Sequence, residues 1–193
     1  FYSFAAIVFL AASAHAQLFE QEPGTVISIN LASLPRPYNP PSPANPPRTI
    51  PKPARALPTA LPGFQVNAFA SGLKDARNLK VAPDGTVFLS EPQINQITLL
   101  RDTDNDGRAD VIEEFADGFR RPHGIAIGDG FVLVGDLNAV WRLSYQPGDT
   151  RSRQSAVQVT ERKALGDPSG HYTRNVVLHP DGTKFYVAIG SQG

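Results

Sequence analysis

Residues 173–190 read TRNVVLHPDGTKFYVAIG: an apolar run, a Pro-Asp-Gly turn and a second apolar run. Proline presets one turn dihedral and glycine accepts the left-handed conformation, so the chain reverses there, while the β-branched and aromatic residues on both sides favour strands. The same form occurs twice earlier, as ARNLKVAPDGTVFLSE at 76–91 and PHGIAIGDGFVLVGD at 122–136. Aligned on Asn78, Gly124 and Asn175, the copies lie 46 and 51 residues apart, close to the roughly 40–50 residues of a four-stranded propeller blade. An open solenoid also repeats, but strand-turn-strand units of this length favour a propeller. The repeat predicts an all-β fold with about three β-propeller blades.

The texture around the repeats agrees. From Leu61 onward, short β-branched and aromatic runs alternate with Gly, Pro, Asp and Asn, and no long 3.6-residue period occurs. Strands are predicted at FQVNAFA, NLKVA, TVFLSE, QITLLR, VIEEFA, GIAIG, FVLVGD, AVWRLSY, AVQVTER, NVVLH and KFYVAIG. A further short strand is read at TVISINL. Three blades do not close a ring and would leave sheet edges unpaired, so the expectation is a parent chain that continues past Gly193.

Upstream, eleven of the eighteen prolines fall between Pro35 and Pro62. Such a stretch has too few large apolar residues to pack, which assigns 17–60 to an extended Pro-rich linker and 61–193 to the partial propeller domain. The first residues, FYSFAAIVFLAASAHAQ, are an apolar run ending in Ala14-His15-Ala16 before Gln17. This pattern reads as a signal peptide over 1–16, truncated at its start, and predicts a secreted protein, extracellular or periplasmic, with no membrane span after the signal is removed. A chain without cysteine has no disulfide to hold it. Eighteen basic and eighteen acidic residues cancel, which argues against nucleic acid as a partner and for a small or neutral ligand.

In a blade, four antiparallel strands run outward from a central channel, so successive loops alternate between two faces. The Asp-Gly turns share one face. The residues just before each inner strand share the other, at the channel mouth: Arg77 and Asn78, Arg121 and His123, then His171, Arg174 and Asn175. Loops after each second strand join them with Glu91 and Gln93, Asp136 and Asn138, and Ser191 and Gln192. Concave positions shared by several loops favour ligand binding. Among these, His171 has the chemistry of a general base, and a nearby arginine that of an anion holder. The bland alternative for His171 is a surface loop histidine.

Residues 101–115, RDTDNDGRADVIEEF, match the EF-hand loop at Asp102, Asp104, Asp106, Gly107 and Glu113. An EF-hand needs flanking helices, whereas QITLLR and VIEEFA read as strands. Asp102, Asp104 and Asp106 are therefore candidate ligands of a peripheral, structural calcium, with a solvated acidic turn as the alternative.

From Leu61 to the end, the blocks LPGFQVNAFASGLKDARNLKVAPDGTVFLSE, LLRDTDNDGRAD, RRPHGIAIGDG and especially GHYTRNVVLHPDGTKFYVAIGSQG resemble the soluble quinoprotein glucose/sorbosone dehydrogenases, including the pyranose dehydrogenase branch. The resemblance implies a six-bladed propeller that binds pyrroloquinoline quinone (PQQ) with calcium and oxidises an aldose, pyranose or sorbosone-like sugar. It implies an external electron acceptor such as a cytochrome or quinone. It also implies that His171 takes the sugar hydroxyl proton, and that Arg174, Arg77, Asn175, Gln192 and His123 contact substrate or cofactor. Here the arginine follows the histidine by three residues, one fewer than in the glucose dehydrogenase branch. The expectation for a three-blade piece alone is inactivity.

Two other classes fit the same residues. A metal-dependent six-bladed lactonase or esterase would use Asn78, Asn175 and Glu91 as ligands. A non-catalytic carbohydrate-binding propeller would stack a sugar on Trp141, whose other role is core packing.

Overall fold

The computed structural model describes residues 56–161, 163–167 and 171–190, together with 26, 28, 30–34, 48, 50, 51 and 53. The chain forms two units, Phe1–Lys52 and Pro53–Gly193. In the first, Leu31–Ser33 is a 3-10 turn capped by the Asn30 side chain, which accepts from the Ala32 amide. Residues 26, 28 and 30 carry no strand, so the TVISINL strand does not form in the part that is described. The signal-peptide expectation at 1–16 lies outside the described residues, as does most of the linker. Among the described residues no helix is long and apolar enough to cross a membrane.

The second unit is all-β. Strands β1 (Asn78–Val81), β2 (Val87–Glu91), β3 (Gln96–Arg101) and β4 (Val111–Ala116) form an antiparallel sheet in sequence order. Strands β5 (Gly124–Gly128), β6 (Phe131–Gly135), β7 (Val140–Ser144) and β8 (Val157–Gln158) repeat the arrangement, and β9 (Arg174–Leu178) pairs with β10 (Phe185–Ile189). The inner strand β5 packs between β1 and β9.

Side-chain alternation explains the layering. In the middle sheet, Ile125, Val132, Val134 and Leu143 join Phe88, Ile97, Leu99 and Phe115 of the first sheet in one core. The alternate residues Ala126, Leu133 and Val140 pack with Val176 of β9 and with Leu165. A sheet covered on both faces needs near-continuous apolar strands, and GIAIG and FVLVG have that character. Strand β1 is less covered, with Leu79 and Val81 each more than half exposed. Phe88, Phe115 and Tyr145 meet edge to face, with centroids 4.8–6.0 Å apart. The Tyr145 hydroxyl donates to Asp84 at 2.6 Å, tying the first Asp-Gly turn to the second sheet.

In this unit one predicted strand does not form and another is shortened. FQVNAFA at 64–70 forms no ladder; its Phe69 carbonyl accepts from the Ala109 amide at 2.8 Å, and Phe64 is largely exposed. Extended apolar sequence is insufficient where no strand edge lies alongside for a full register. AVQVTER keeps only the two residues of β8.

Strands β5 and β9 approach closely. Gly124 pairs with Gly135 in the β5–β6 register. A Cβ on Gly124 would lie 2.0 Å from the Arg174 carbonyl oxygen, and one on Gly135 would lie 2.5 Å from the same atom. Only glycine lets another backbone come so near.

Candidate functional site

Register places the loops on two ends. Val87 pairs with Leu100 and Arg101 with Val111, so the turn at 83–86 and the loop at 102–110 share an end, while Asn78, Ser90 and Ile97 mark the other. The three Asp-Gly turns, at Asp84, Asp129 and Asp181, line a single cavity of about 660 Å³. The polar candidates before each inner strand gather away from it.

His123 is the centre of that group. Its main chain continues the ladder, with the amide donating to the Gly135 carbonyl at 2.9 Å. Its imidazole is partly buried, beside the Asn175 side chain, close enough to feel the charge of Arg77, and left with a buried, unpartnered Nδ1. Desolvation lowers its proton affinity, the Asn175 side chain raises it, Arg77 lowers it again, and the midpoint settles below the ordinary 6.5. His123 is thus a neutral imidazole near pH 7, able to exchange a hydrogen bond with a ligand.

A histidine with a depressed folded midpoint binds its proton more readily when unfolded. Stability is therefore expected to fall as pH drops through about 6.5 and towards the folded midpoint, and His123→Gln is expected to flatten that fall. Urea unfolding over about pH 8 to 5 reads it, and identical pH slopes in the two proteins would refute the assignment.

Tyr172 completes the group and was not singled out from the sequence. Its ring meets His123 edge-on at 6.1 Å and carries the Arg121 guanidinium 3.9 Å from its centroid. Arg121 has a left-handed backbone (φ 51°), and its amide donates to the Asn95 side chain at 2.9 Å. Nothing in the one-dimensional spacing marks an aromatic beside a loop histidine as a platform. Arg77 is exposed and paired with Asp75 at 3.0 Å.

His171 is exposed at the head of β9 and rests on Gly190, where a Cβ would lie 2.6 Å from its Cβ and Cγ. Arg174, by contrast, is fully buried and directs its guanidinium to the backbone behind His171. Gln192 and Ser191 lie outside the described residues.

The carboxylates of the site end are engaged internally. Glu91 is buried, accepting from the Lys74 amide and the Thr98 hydroxyl. Asp136 is equally buried, accepting from the amides of Arg120 (2.9 Å), Asn138 (2.8 Å) and Ala139 (2.9 Å). These acids bracket the loop that precedes each inner strand, which leaves Glu91 poorly placed as a metal ligand. Trp141 packs against the core and its Nε1 is buried without a partner, the core-packing alternative rather than a sugar platform.

At the other end, the acidic loop is flanked by β3 and β4, so the EF-hand context is absent. Oxygens of Asp102, Asp104 and Asp106 nevertheless lie within 4.8 Å of one another. The Asp106 amide lowers the proton affinity of Asp104, but desolvation and repulsion from Asp106, Asp110 and Asp102 raise it, and the net midpoint is above its ordinary value. Asp110 instead accepts from the amide and hydroxyl of Thr103 at 2.7 and 2.8 Å.

A family model described as a domain of unknown function, DUF7133, matches residues 65–192. No curated protein matches the chain. Among solved structures, the holo form of the pyranose dehydrogenase PQQ domain from Coprinopsis cinerea aligns with a TM-score of 0.52 and 16% identity, over 65% of this chain and 30% of that one. The iodide structure of Trichoderma reesei Carbohydrate-Active Enzymes Family AA12 aligns with a TM-score of 0.53 and 18% identity, over 64% of this chain and 32% of that one. The chain spans about a third of the length of these structures, and at such identity the likeness is one of fold.

Proposed function

The chain belongs to the DUF7133 family, and from that premise we propose that it forms three blades of a six-bladed propeller that oxidises a sugar with PQQ as electron acceptor. The observation that carries this reading is the gathering of Arg77, His123, Asn175 and Tyr172 at the end of the sheets opposite the Asp-Gly turns. The fold likeness to a domain whose name includes PQQ supports it.

The donor set fits the cofactor. Guanidinium groups at Arg77 and Arg121, the amide of Asn175 and the unpartnered Nδ1 of His123 can meet carboxylate and carbonyl oxygens. When bound, the quinone would supply a two-electron acceptor for hydride. His171, exposed and resting on Gly190, would take the hydroxyl proton as the carbon gives up hydride, so that the alcohol carbon becomes a carbonyl. Asn175 would share the polar edge of the site with His123, and Tyr172 would offer a flat apolar wall beside it. A secreted location and an external cytochrome or quinone acceptor complete the proposal.

The test is reconstitution of the natural full-length protein with PQQ and calcium, followed by dye reduction with aldoses and, in parallel, hydrolysis of a lactone. Quinone-dependent dye reduction is expected. Lactone hydrolysis without it would transfer the protein to the metal-dependent hydrolases.

The acidic loop is proposed to hold a structural calcium on Asp102, Asp104 and Asp106, relieving the repulsion among them. Calcium at a hundred times its Kd is expected to stabilise the fold by about 2.7 kcal/mol, and Asp104→Ala is expected to abolish the gain. A Tm that does not move up to about 10 mM calcium, beyond the weak extracellular range, removes the site.

A further inference from the structure

Arg174 sits at the start of β9 with no exposed surface. Its Nη1 donates to the carbonyls of His171 (2.6 Å) and Thr173 (3.1 Å), and its Nη2 faces the Asp167 carbonyl at 3.4 Å. Nε has no partner. A buried cation is costly unless dipoles or charges surround it. Here the carbonyls that surround it are those of His171 and Thr173, on the segment leading into β9, and of Asp167.

The contacts continue on both sides. The Arg174 carbonyl lies in the space left by the absent side chains of Gly124 and Gly135, which anchors its backbone on the middle sheet. The imidazole of His171 lies against Gly190, where any Cβ would strike its Cβ and Cγ at 2.6 Å and come within 3.1 Å of Nδ1. An anchored backbone, a guanidinium fork, a carbonyl and an imidazole on a flat seat thus form one chain of support.

We propose that Arg174 is a positioning residue: from inside the fold, its guanidinium holds the 171–173 backbone that leads into β9 and thereby the imidazole of His171, and it makes no contact with the ligand. The proposal rests on reading His171 as the proton acceptor. It replaces the role of ligand contact that resemblance implies for Arg174. Lysine cannot reproduce it, because a single ammonium on a flexible stem lacks the planar fork that spans separate carbonyls.

The experiment uses the natural protein with Arg174→Lys and Gly190→Ala, and reads backbone amide exchange, the His171 imidazole resonances, and kcat and KM in sugar oxidation. In Arg174→Lys, exchange at 171–173 is expected to accelerate roughly 5- to 10-fold, as loss of about one hydrogen bond predicts. Exchange in β5 and β6 stays as it was, the imidazole resonances shift, and kcat falls while the affinity for PQQ is kept. Gly190→Ala is expected to shift the imidazole and lower kcat with normal exchange at 171–173. Unchanged exchange and resonances together with weaker PQQ binding would overturn the proposal, because Arg174 would then touch the ligand. Loss of protection in β5 as well would also overturn it, making Arg174 a residue of the fold as a whole. Unchanged kcat in Gly190→Ala with a displaced imidazole would do the same. Should the wild-type protein oxidise no sugar, the reading of function fails, but exchange and resonances still decide whether the guanidinium holds this segment.

Discussion

His171→Ala in the natural full-length protein is expected to lower the rate of sugar oxidation by about 100-fold or more, as loss of a general base does, with the fold retained. The second half of that expectation is as specific as the first. The interaction His171 makes with Arg174 runs through its backbone carbonyl, which alanine keeps, and the imidazole itself is exposed and lies on a glycine. The variant therefore removes a proton acceptor and leaves its mounting in place. Quinone-dependent dye reduction at saturating sugar, with a thermal melt alongside, checks both parts. Turnover near wild type would take His171 out of the site, and a collapsed melt would show that the imidazole carries packing which its exposure does not reveal.

Gly124→Ala is expected to destabilise the protein by about 3 kcal/mol or more, at the upper end of overpacking effects. The atoms its Cβ would meet are the Arg174 carbonyl oxygen at 2.0 Å and the Val176 amide nitrogen at 2.6 Å. Both are backbone atoms inside the β5–β9 packing and cannot rotate away. Gly135→Ala is expected to cost less, because its nearest contacts are longer, the Arg174 carbonyl oxygen at 2.5 Å and the Val176 Cγ2, a side-chain atom, at 2.7 Å. At roughly 2–4 °C per kcal/mol for a chain of this size, Gly124→Ala would lower Tm by about 6–12 °C. Denaturant unfolding gives the ordering directly, and a Gly124→Ala protein within about 0.5 kcal/mol of wild type would refute the close approach. The same substitution also presses on the backbone of Arg174, so reduced activity in survivors is expected to follow the His171 segment.

Much of the fold is legible locally. The three strand-turn-strand copies predict β1–β2, β5–β6 and β9–β10, and each forms as an antiparallel pair. Their legibility has a simple cause: alternation and turn chemistry act between neighbours in sequence, and a hairpin needs nothing else to set its register. FQVNAFA had the right alternation and failed for want of a strand edge, a condition set by residues far away. AVQVTER shrank to two residues for a similar reason, since an outer strand pairs on one side only.

The site divides along the same line. That Arg77, His123 and His171 precede inner strands, and that Asn175 lies near the start of one, is a property of the repeat, and it brought these segments to one end. What each side chain does there was decided by burial. Glu91 was a candidate metal ligand and Asp136 a residue of the same end, and both are internal brackets, because desolvated carboxylates are satisfied by amides and hydroxyls nearby. Arg174 looked like an anion holder and points inward.

By itself, then, the order of residues determined an all-β chain, its turns and the end at which polar groups collect. Tertiary structure alone decided that His123 is half-buried with its proton affinity lowered, that Tyr172 carries the Arg121 guanidinium, and that Arg174 is buried with its guanidinium on the His171 carbonyl. The physical reason is range. Turn and strand preferences are short-range, whereas desolvation and the partners of a buried charge depend on which distant backbone closes over it, as β9 closes over the glycines of β5 and β6.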